Sequence, residues 1–388
     1  MAQVPVMARP RLKRCASALT SAALLLAVTT GACASSVTLY GIVDMSFVYT
    51  HNAGGTPDRL ELQSGSLSGS RVGLKGVEPL AGGAAAVFQL ENGFNASSGQ
   101  MNQGRRLFGR QSHVGLRTPS GHTIVAGRLY DPLIDLVQPL QGDGYLGQTF
   151  STPGDVDNAD ASARFNHALK WSSPRTAGWQ ASAFASLGGA PGALGSGLAH
   201  SAALSYRRGA FSAAAGYLHV DLGNSSRGQR GTSSADSFFN SLVNAAYAAA
   251  ASVRIVRVAT QSALGAFTIG GYYSDARYRP DGASGFARAQ VFRNASIYGV
   301  WQATPTLMTV FAYNQLHASG DSTARYRQLS AGANLFVSKR TDFYALAGYT
   351  HADGSNGNGP AQAVVGATGV DAGGASQLRL NAGLRHRF

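Results

Sequence analysis

The chain has 388 residues, with 32 Lys and Arg against 19 Asp and Glu and a formal net charge of +13. Both cysteines, Cys15 and Cys33, fall near the N-terminus, which excludes disulfides and thiolate metal sites from everything that follows. Beyond that N-terminal region no apolar run approaches the roughly twenty residues of a membrane helix, and only 13% of residues are charged.

In chain order, Arg9, Arg11, Lys13 and Arg14 form a basic start, Ala16 to Thr30 an apolar stretch, and Ala32-Cys33-Ala34 a small-x-small cleavage site. This pattern predicts a signal peptide over 1–34 and a mature chain, one domain, over 35–388. Losing four basic and no acidic residues takes the charge from +13 to about +9, so much of the basicity belongs to the mature fold. From Val37 to Thr50 the side chains alternate. Val37, Leu39, Gly41, Val43, Met45, Phe47 and Tyr49 share one face, and Thr38, Tyr40, Asp44 and Ser46 the other. That is the period of a strand. In SRVGLKG, Val72 and Leu74 oppose Arg71, Gly73 and Lys75, and in AAAVFQLENGF, Phe88 and Leu90 oppose Gln89 and Glu91. Near Arg128, the alternation sets Val125, Gly127 and Leu129 on the apolar face. Alternation continues through Trp179 to Leu187, through Phe267 to Ser274, and to the chain end. There Leu378, Leu380, Ala382, Leu384, His386 and Phe388 oppose Gln377, Arg379, Asn381, Gly383, Arg385 and Arg387. About sixteen such segments are legible, one face suited to lipid and the other to water.

The connections alternate in length. KGVEPLAGG, RTPSG, SSPRTAG, RRGA, SALGA, QATPT and SKRT are short. Long polar segments lie near 52–59, 95–106, 130–164, 188–199, 221–250, 275–290, 318–324 and 353–375. Sixteen strands with tight turns on one side and long loops on the other describe an all-β, transmembrane, antiparallel β-barrel of the outer-membrane kind, with the long loops extracellular. Closure pairs every amide and leaves no edge in lipid. A barrel of that size is too wide for side chains to fill, so an aqueous channel is expected.

The blocks SSVTLYGIVD, SRVGLKGVEPLAGGAAAVFQLENGF, LFGRQSHVGLRTPSGHTIVAGRLYDP and the final AGLRHRF resemble the general porins of Gram-negative bacteria, especially the betaproteobacterial type. The resemblance spans the mature chain, dense over 35–132 and 377–388 and thin in the loops. It implies an outer-membrane homotrimer of sixteen-stranded barrels that passes small hydrophilic solutes and ions. The third extracellular loop, about 130–164, would fold inward to narrow each pore. It also implies lipopolysaccharide and the barrel-assembly machinery, which would read the strand ending at Phe388, as partners. By resemblance Arg71 and Arg110 sit in an arginine cluster at the constriction, with Lys75 and Arg128 nearby and Glu91 as the adjoining lumenal acid. Parity agrees for Arg71, Lys75 and Glu91. Arg110 shares parity with Val114 and Leu116, which belong outside. The loop brings acids, Asp131, Asp135, Asp143, Asp155, Asp157 and Asp160, and apolar anchors, Leu133, Ile134, Leu136, Val137 and Leu140. Arginines across from carboxylates make a transverse field, and the net charge predicts a mild preference for anions.

Other chemistry has little support. The nine histidines are scattered, with no metal spacing and no catalytic constellation, so neither an enzyme nor a cofactor is expected. Arginines spread at strand parity behind a secretion signal do not make a nucleic-acid surface. Small inward positions (Gly73, Ser182, Ser186, Ser212, Ala214, Gly270, Gly383) predict room for water rather than a filled adhesin or rim-enzyme barrel. Tyr40, Phe184, Tyr272, Tyr298 and Tyr344 point inward without forming the aromatic track of a substrate-specific channel. The stretch SFFNSLVNAAYAAAA within 221–250 is unusual for a solvent loop and suggests a short helix at the barrel mouth or on a neighbouring subunit.

Overall fold

The computed structural model describes residues 35–388 except 189–195, 222–236 and 238. The predicted signal segment lies outside the described residues. Seventeen strands follow in order: β1 Ser36–Ala53, β2 Thr56–Ser64, β3 Arg71–Pro79, β4 Ala85–Gly93, β5 Gln111–Arg117, β6 Thr123–Leu129, β7 Phe165–Ser172, β8 Trp179–Ser186 and β9 Ala199–Arg208. Then come β10 Phe211–Asp221, β11 Ser252–Leu264, β12 Phe267–Arg279, β13 Gln290–Thr304, β14 Leu307–Ser319, β15 Ala324–Phe336, β16 Thr341–Gly354 and β17 Ser376–Arg387.

These strands make sixteen staves. β1 pairs with β2 from Met45 to Ala53 and with β3 from Ser36 to Ile42, so β2 and β3 are two pieces of one stave, broken at 65–70. Neighbours pair antiparallel throughout, and β1 closes on β17 from Ile42↔Arg387 to His51↔Leu378. The predicted alternation holds. Val37, Leu39 and Phe47 are exposed on the outer wall while Asp44, Ser46 and Thr50 are buried inside, and Leu380 and Leu384 are exposed while Arg379 and Arg385 are buried. All seven predicted tight turns join strands where expected.

Three readings need correction. The 52–59 connection is a two-residue turn, because Gly54 and Gly55 take φ of +64° and +82° and let β1 and β2 run on as a hairpin. On the β11–β16 side the strands run to thirteen to fifteen residues, so the 275–290 and 318–324 loops shrink to 280–289 and 320–323. In β6 the apolar parity is inverted. Ile124 and Ala126 are exposed, Val125 and Leu129 are buried inside, and a register shift between Gly127 and Leu129 carries the bulge that resets the strand.

The apolar core lies within the barrel, between the inner wall of the staves and the 130–164 loop. Three of the small inward residues, Gly73, Gly270 and Gly383, are sockets for larger partners. A Cβ on Gly73, Gly270 or Gly383 would stand 2.3–2.5 Å from the ring or hydroxyl of Tyr40, Tyr298 or Tyr344, its cross-strand partner in each case. Each tyrosine lies flat across its glycine, an aromatic rescue that fixes the direction of the hydroxyl. At the seam, Gly41 and Phe388 exchange two backbone hydrogen bonds of 3.1 Å, and a Cβ on Gly41 would stand 2.3 Å from the Phe388 ring and 2.8 Å from the Arg71 carbonyl oxygen. Replacing Gly41 with Val should therefore overpack the closing seam by about 1–3 kcal/mol. Heat-modifiable electrophoresis should show a smaller folded fraction than wild type, and an unchanged fraction would mean that the Phe388 seat does not contribute to closure.

Candidate pore constriction

The 130–164 segment enters the barrel through a capped turn. Asp131 Oδ1 accepts a 2.8 Å hydrogen bond from the Leu133 amide, Pro132 fills the first helical position, and the helix Pro132–Leu136 buries Leu133 and Leu136. Of the predicted anchors, Leu133, Leu136, Val137 and Leu140 are buried and Ile134 is half-buried. Sockets on the wall receive the loop directly. A Cβ on Gly216 of β10 would meet Leu133 at 3.1 Å, and one on Gly332 of β15 would meet Leu146 at 2.6 Å.

The loop backbone is then tied to the wall. Tyr298 donates to the Leu140 carbonyl at 2.9 Å, and Ser330 and Gln328 donate to that of Thr149 at 2.8 and 3.0 Å. Asn314 donates to the Phe150 carbonyl at 3.3 Å and Tyr278 to that of Val156 at 2.6 Å. Tyr272 is hydrogen-bonded to Thr152 at 2.5 Å. Tyr272, Tyr278 and Tyr298 thus hold the loop, whereas the inward Tyr344 bonds to Asp44 of β1.

Opposite, at the root of the loop, side chains from β1, β3, β4 and the start of β5 converge. Glu91 accepts from Tyr40 at 2.9 Å and from Arg110 Nε at 2.7 Å. Gln89 donates to the Tyr40 hydroxyl at 2.7 Å. The Arg110 and Arg164 guanidiniums lie 6.0 and 4.9 Å from the Tyr130 ring centroid, and Arg164 Nε donates to its hydroxyl at 3.0 Å. Arg71, held by a 3.0 Å bond from Nε to the Gly69 carbonyl, sits within the electrostatic reach of Arg110, Glu91 and Tyr130. Arg110 resolves its parity conflict by standing one residue before β5, where strand alternation does not bind it, and its side chain is only 13% exposed against Glu91.

The remaining predicted residues separate from this cluster. Lys75 is exposed, 5.4 Å from the Tyr40 ring centroid, four positions along β3 and so about 13 Å nearer the short turns. Arg128 is buried at the β6 bulge, donating at 2.7 Å to both the Gly109 carbonyl and Asn166 Oδ1. Asp131 is fully buried as the helix cap and also accepts from Asn158 at 3.2 Å. Asp135 pairs with Lys170 of β7 at 2.5 Å. Neither carboxylate faces the arginines. Asp160 does stand in the field of Arg164 and Arg110.

The other loop acids are crowded against the wall. Asp157 accepts from Ser274 at 2.5 Å and Thr152 at 3.1 Å, near the fully buried Arg257, which reaches Gln141 at 3.4 Å. Burial pushes the Asp143 carboxyl up to about 7, and burial reinforced by the Asp157 charge pushes Asp155 up to about 6. Desolvation, with Asp155 and Asp143 beside it, holds Asp160 well above the usual carboxylate range.

Sequence reasoning did not single out Tyr40, Tyr130 or Arg164 for the cluster. Tyr130 and Arg164 bracket the loop in sequence, and that bracketing was the available signal. It also missed the second inward segment. Residues 355–375 send Val365 against Gly348, whose Cβ would meet it at 2.4 Å. The amides of Gly366 and Val365 bond to Gln328 and Gln377 on the inner wall at 2.6 and 2.9 Å. Residues 239–250 form turns and one short 3-10 helix, Ala245–Tyr247, and bury Val243 and Tyr247 in the same core.

Comparison with known proteins agrees with this architecture. A family model described as Gram-negative porin matches residues 18–355. An outer membrane porin protein of Bordetella pertussis is 34% identical over 180 residues, 41% of this chain and 45% of that protein. Outer membrane porin protein 32 of Delftia acidovorans is 40% identical over 82 residues, 21% of this chain and 23% of that one. The matched segments thus span less than half the length of these relatives. A solved structure described as an anion-selective porin from Comamonas acidovorans superposes with a TM-score of 0.72 at 21% identity, covering 92% of this chain and all of that one, which establishes the shared fold. The chain belongs to the Gram-negative porin family, and its setting is the outer membrane.

Proposed function

We propose that the barrel is a water-filled channel through which small hydrophilic solutes and ions diffuse passively, with a mild preference for anions. Arg71 and Arg110 gather around the Glu91 carboxylate and Arg110 and Arg164 around the Tyr130 ring, at the root of the inward loop, and this observation carries the reading. The local excess is positive, so a passing anion gains and a cation loses. Lys75 extends the basic wall toward the short turns. Arg128, Asp131 and Asp135 position the strand ends and loop that frame the gap. Asp143 and Asp155 supply the opposing sign as they ionise, which keeps the preference mild.

No catalytic step or cofactor enters this mechanism. We further propose that residues 1–34 are removed on export, that three barrels assemble as a homotrimer, and that the assembly machinery reads the strand ending at Phe388. The mass of the exported chain should place its first residue at Ser35, and a mass that retained any part of 1–34 would refute the cleavage site.

Two outcomes test the constriction. A unit charge about 4 Å from an ion in water is worth about 1 kcal/mol, or about fivefold in relative permeability. Arg71→Glu and Arg164→Glu each change the local charge by two units, with opposite effects on anion and cation, and should each lower the anion-to-cation permeability ratio by more than that factor, measured as reversal potential in a salt gradient. Unchanged potentials in folded, conducting variants would place these residues away from the ion path. The second outcome concerns pH. Asp143 and Asp155 have raised folded-state values, so the packed loop is most stable below about 4, where both are protonated, and loses that stability as pH rises through about 6 to 7. The same ionisation adds negative charge beside the pore. Anion preference should therefore weaken between pH 5 and pH 8, and the double variant Asp143→Asn, Asp155→Asn should flatten the dependence. An identical pH profile in wild type and variant would contradict the assignment.

A further inference from the structure

The stave made by β2 and β3 leaves the ladder at 65–70 and turns into the barrel. Gly65 opens the turn at φ +80°, a conformation that favours glycine. Leaving the ladder frees backbone amides, and a buried amide needs a partner. One side chain supplies it. Asp44 of β1 is fully buried, and its Oδ2 accepts from the amides of Leu67 and Ser68 at 2.9 and 2.5 Å. Its Oδ1 accepts from the hydroxyl of Tyr344, the residue that lies across Gly383, at 2.5 Å. The Asp44 backbone takes the two ends of the same turn. Its carbonyl accepts from the Gly65 amide at 2.9 Å, and its amide donates to Ser70 Oγ at 3.0 Å. Arg385, opposite Asp44 in the closing seam, donates to Ser68 Oγ at 2.6 Å.

The turn meets the constriction on two sides. The Gly69 carbonyl is the acceptor that holds Arg71 Nε at 3.0 Å, and a Cβ on Gly69 would stand 3.2 Å from a guanidinium nitrogen of Arg110. Leu67 is buried in one cluster with Leu146 and Phe150 of the inward loop, and a Cβ on Gly147 would come within 2.4 Å of its carbonyl oxygen. The same six residues therefore touch both arginines of the wall and the tip of the loop that faces them. Asp44 itself, with no exposed surface, offers nothing to a passing ion directly.

We propose that Asp44 is a positioning residue for the constriction: by capturing the 65–70 turn it sets where Arg71 and Arg110 stand and where the inward loop stops. Two consecutive amides converging on one carboxylate make a short, directional hold. That hold draws on β1, β16, β17 and the broken stave, so the arginines take their places only once the barrel has closed. The assignment rests on the channel proposed above. The bland alternative is a carboxylate that stiffens the seam and adds its charge to the field inside the barrel. The two roles differ in sign. Loss of a negative charge by itself favours anions, whereas a guanidinium released from Gly69 leaves the narrow point and the anion preference falls.

The test compares two variants that lose the same charge. Asp44→Asn keeps an oxygen for the Leu67 and Ser68 amides and presents its own NH2 to the Tyr344 hydroxyl, while Asp44→Ala keeps neither. The readout is reversal potential in a salt gradient, on full barrels shown to be folded by heat-modifiable electrophoresis. Asp44→Ala should lower the anion-to-cation permeability ratio below wild type by up to about fivefold, the effect of one unit charge about 4 Å from an ion in water. Asp44→Asn should hold the ratio well above the alanine value. In an Arg71→Gln background the difference between the two should shrink, because a residue being positioned is gone. If Asp44→Ala does not fold, Ser70→Ala, which removes the hydroxyl that fastens the turn to the Asp44 backbone, should shift the ratio in the same direction. Equal ratios in folded Asp44→Ala and Asp44→Asn, or an alanine ratio above wild type, would overturn the proposal and leave the channel reading standing. A wild type that conducts without anion preference would refute the constriction reading, and this inference with it.

Discussion

A sixteen-stave barrel encloses more space than its own side chains can fill. This chain puts a loop of its own into that space, and a loop buried in protein must find partners for its backbone. The bonds from Tyr298, Ser330, Gln328, Asn314 and Tyr278 to the carbonyls of residues 140–156 are the constraint on which the rest depends. They explain why inward positions on β12–β15 are polar and buried at once, and why small residues recur there. Gly216 and Gly332 admit Leu133 and Leu146, while Gly270 lets Tyr298 lie flat with its hydroxyl aimed at the loop.

Holding the loop has an electrostatic consequence. It carries Tyr130 and Arg164 to the wall that bears Arg71, Glu91 and Arg110, and it presses its acids against low-polarity surroundings. The basic side keeps its charge, because arginine stays protonated and its fork is fixed by neighbours. The acidic side is soft, because burial raises Asp143 and Asp155 toward neutrality. The field across the opening is thus asymmetric, firm on one side and dependent on pH on the other.

Much of the barrel was legible because membrane strands must alternate, and Val72–Leu74 against Arg71–Lys75 or Leu380–Leu384 against Arg379–Arg385 show that rule without interference. The site was legible only where it stands on regular strand, as with Arg71 and Glu91. Arg110 lies just before its strand and Arg128 beside a bulge, and parity fails at both kinds of break. Asp131 and Asp135 looked like pore acids because a loop has no period to say which way a side chain turns. A helix cap and a pairing with Lys170 decided them instead. Gly73, Gly270 and Gly383 were read as room for water, since the tyrosines that lie over them come from a neighbouring strand. Residues 355–375 gave no hint of turning inward, because the contacts of Val365 and Gly366 with Gln377 and Gln328 depend on barrel closure.

The central claim is that an open path remains beside the docked loop and that its walls carry net positive charge. Single-channel current of the wild-type protein in a planar bilayer under a salt gradient tests it most directly. Stepwise openings with a zero-current potential displaced toward the anion value are predicted. Insertion without current, or a displacement toward cations, would contradict the account.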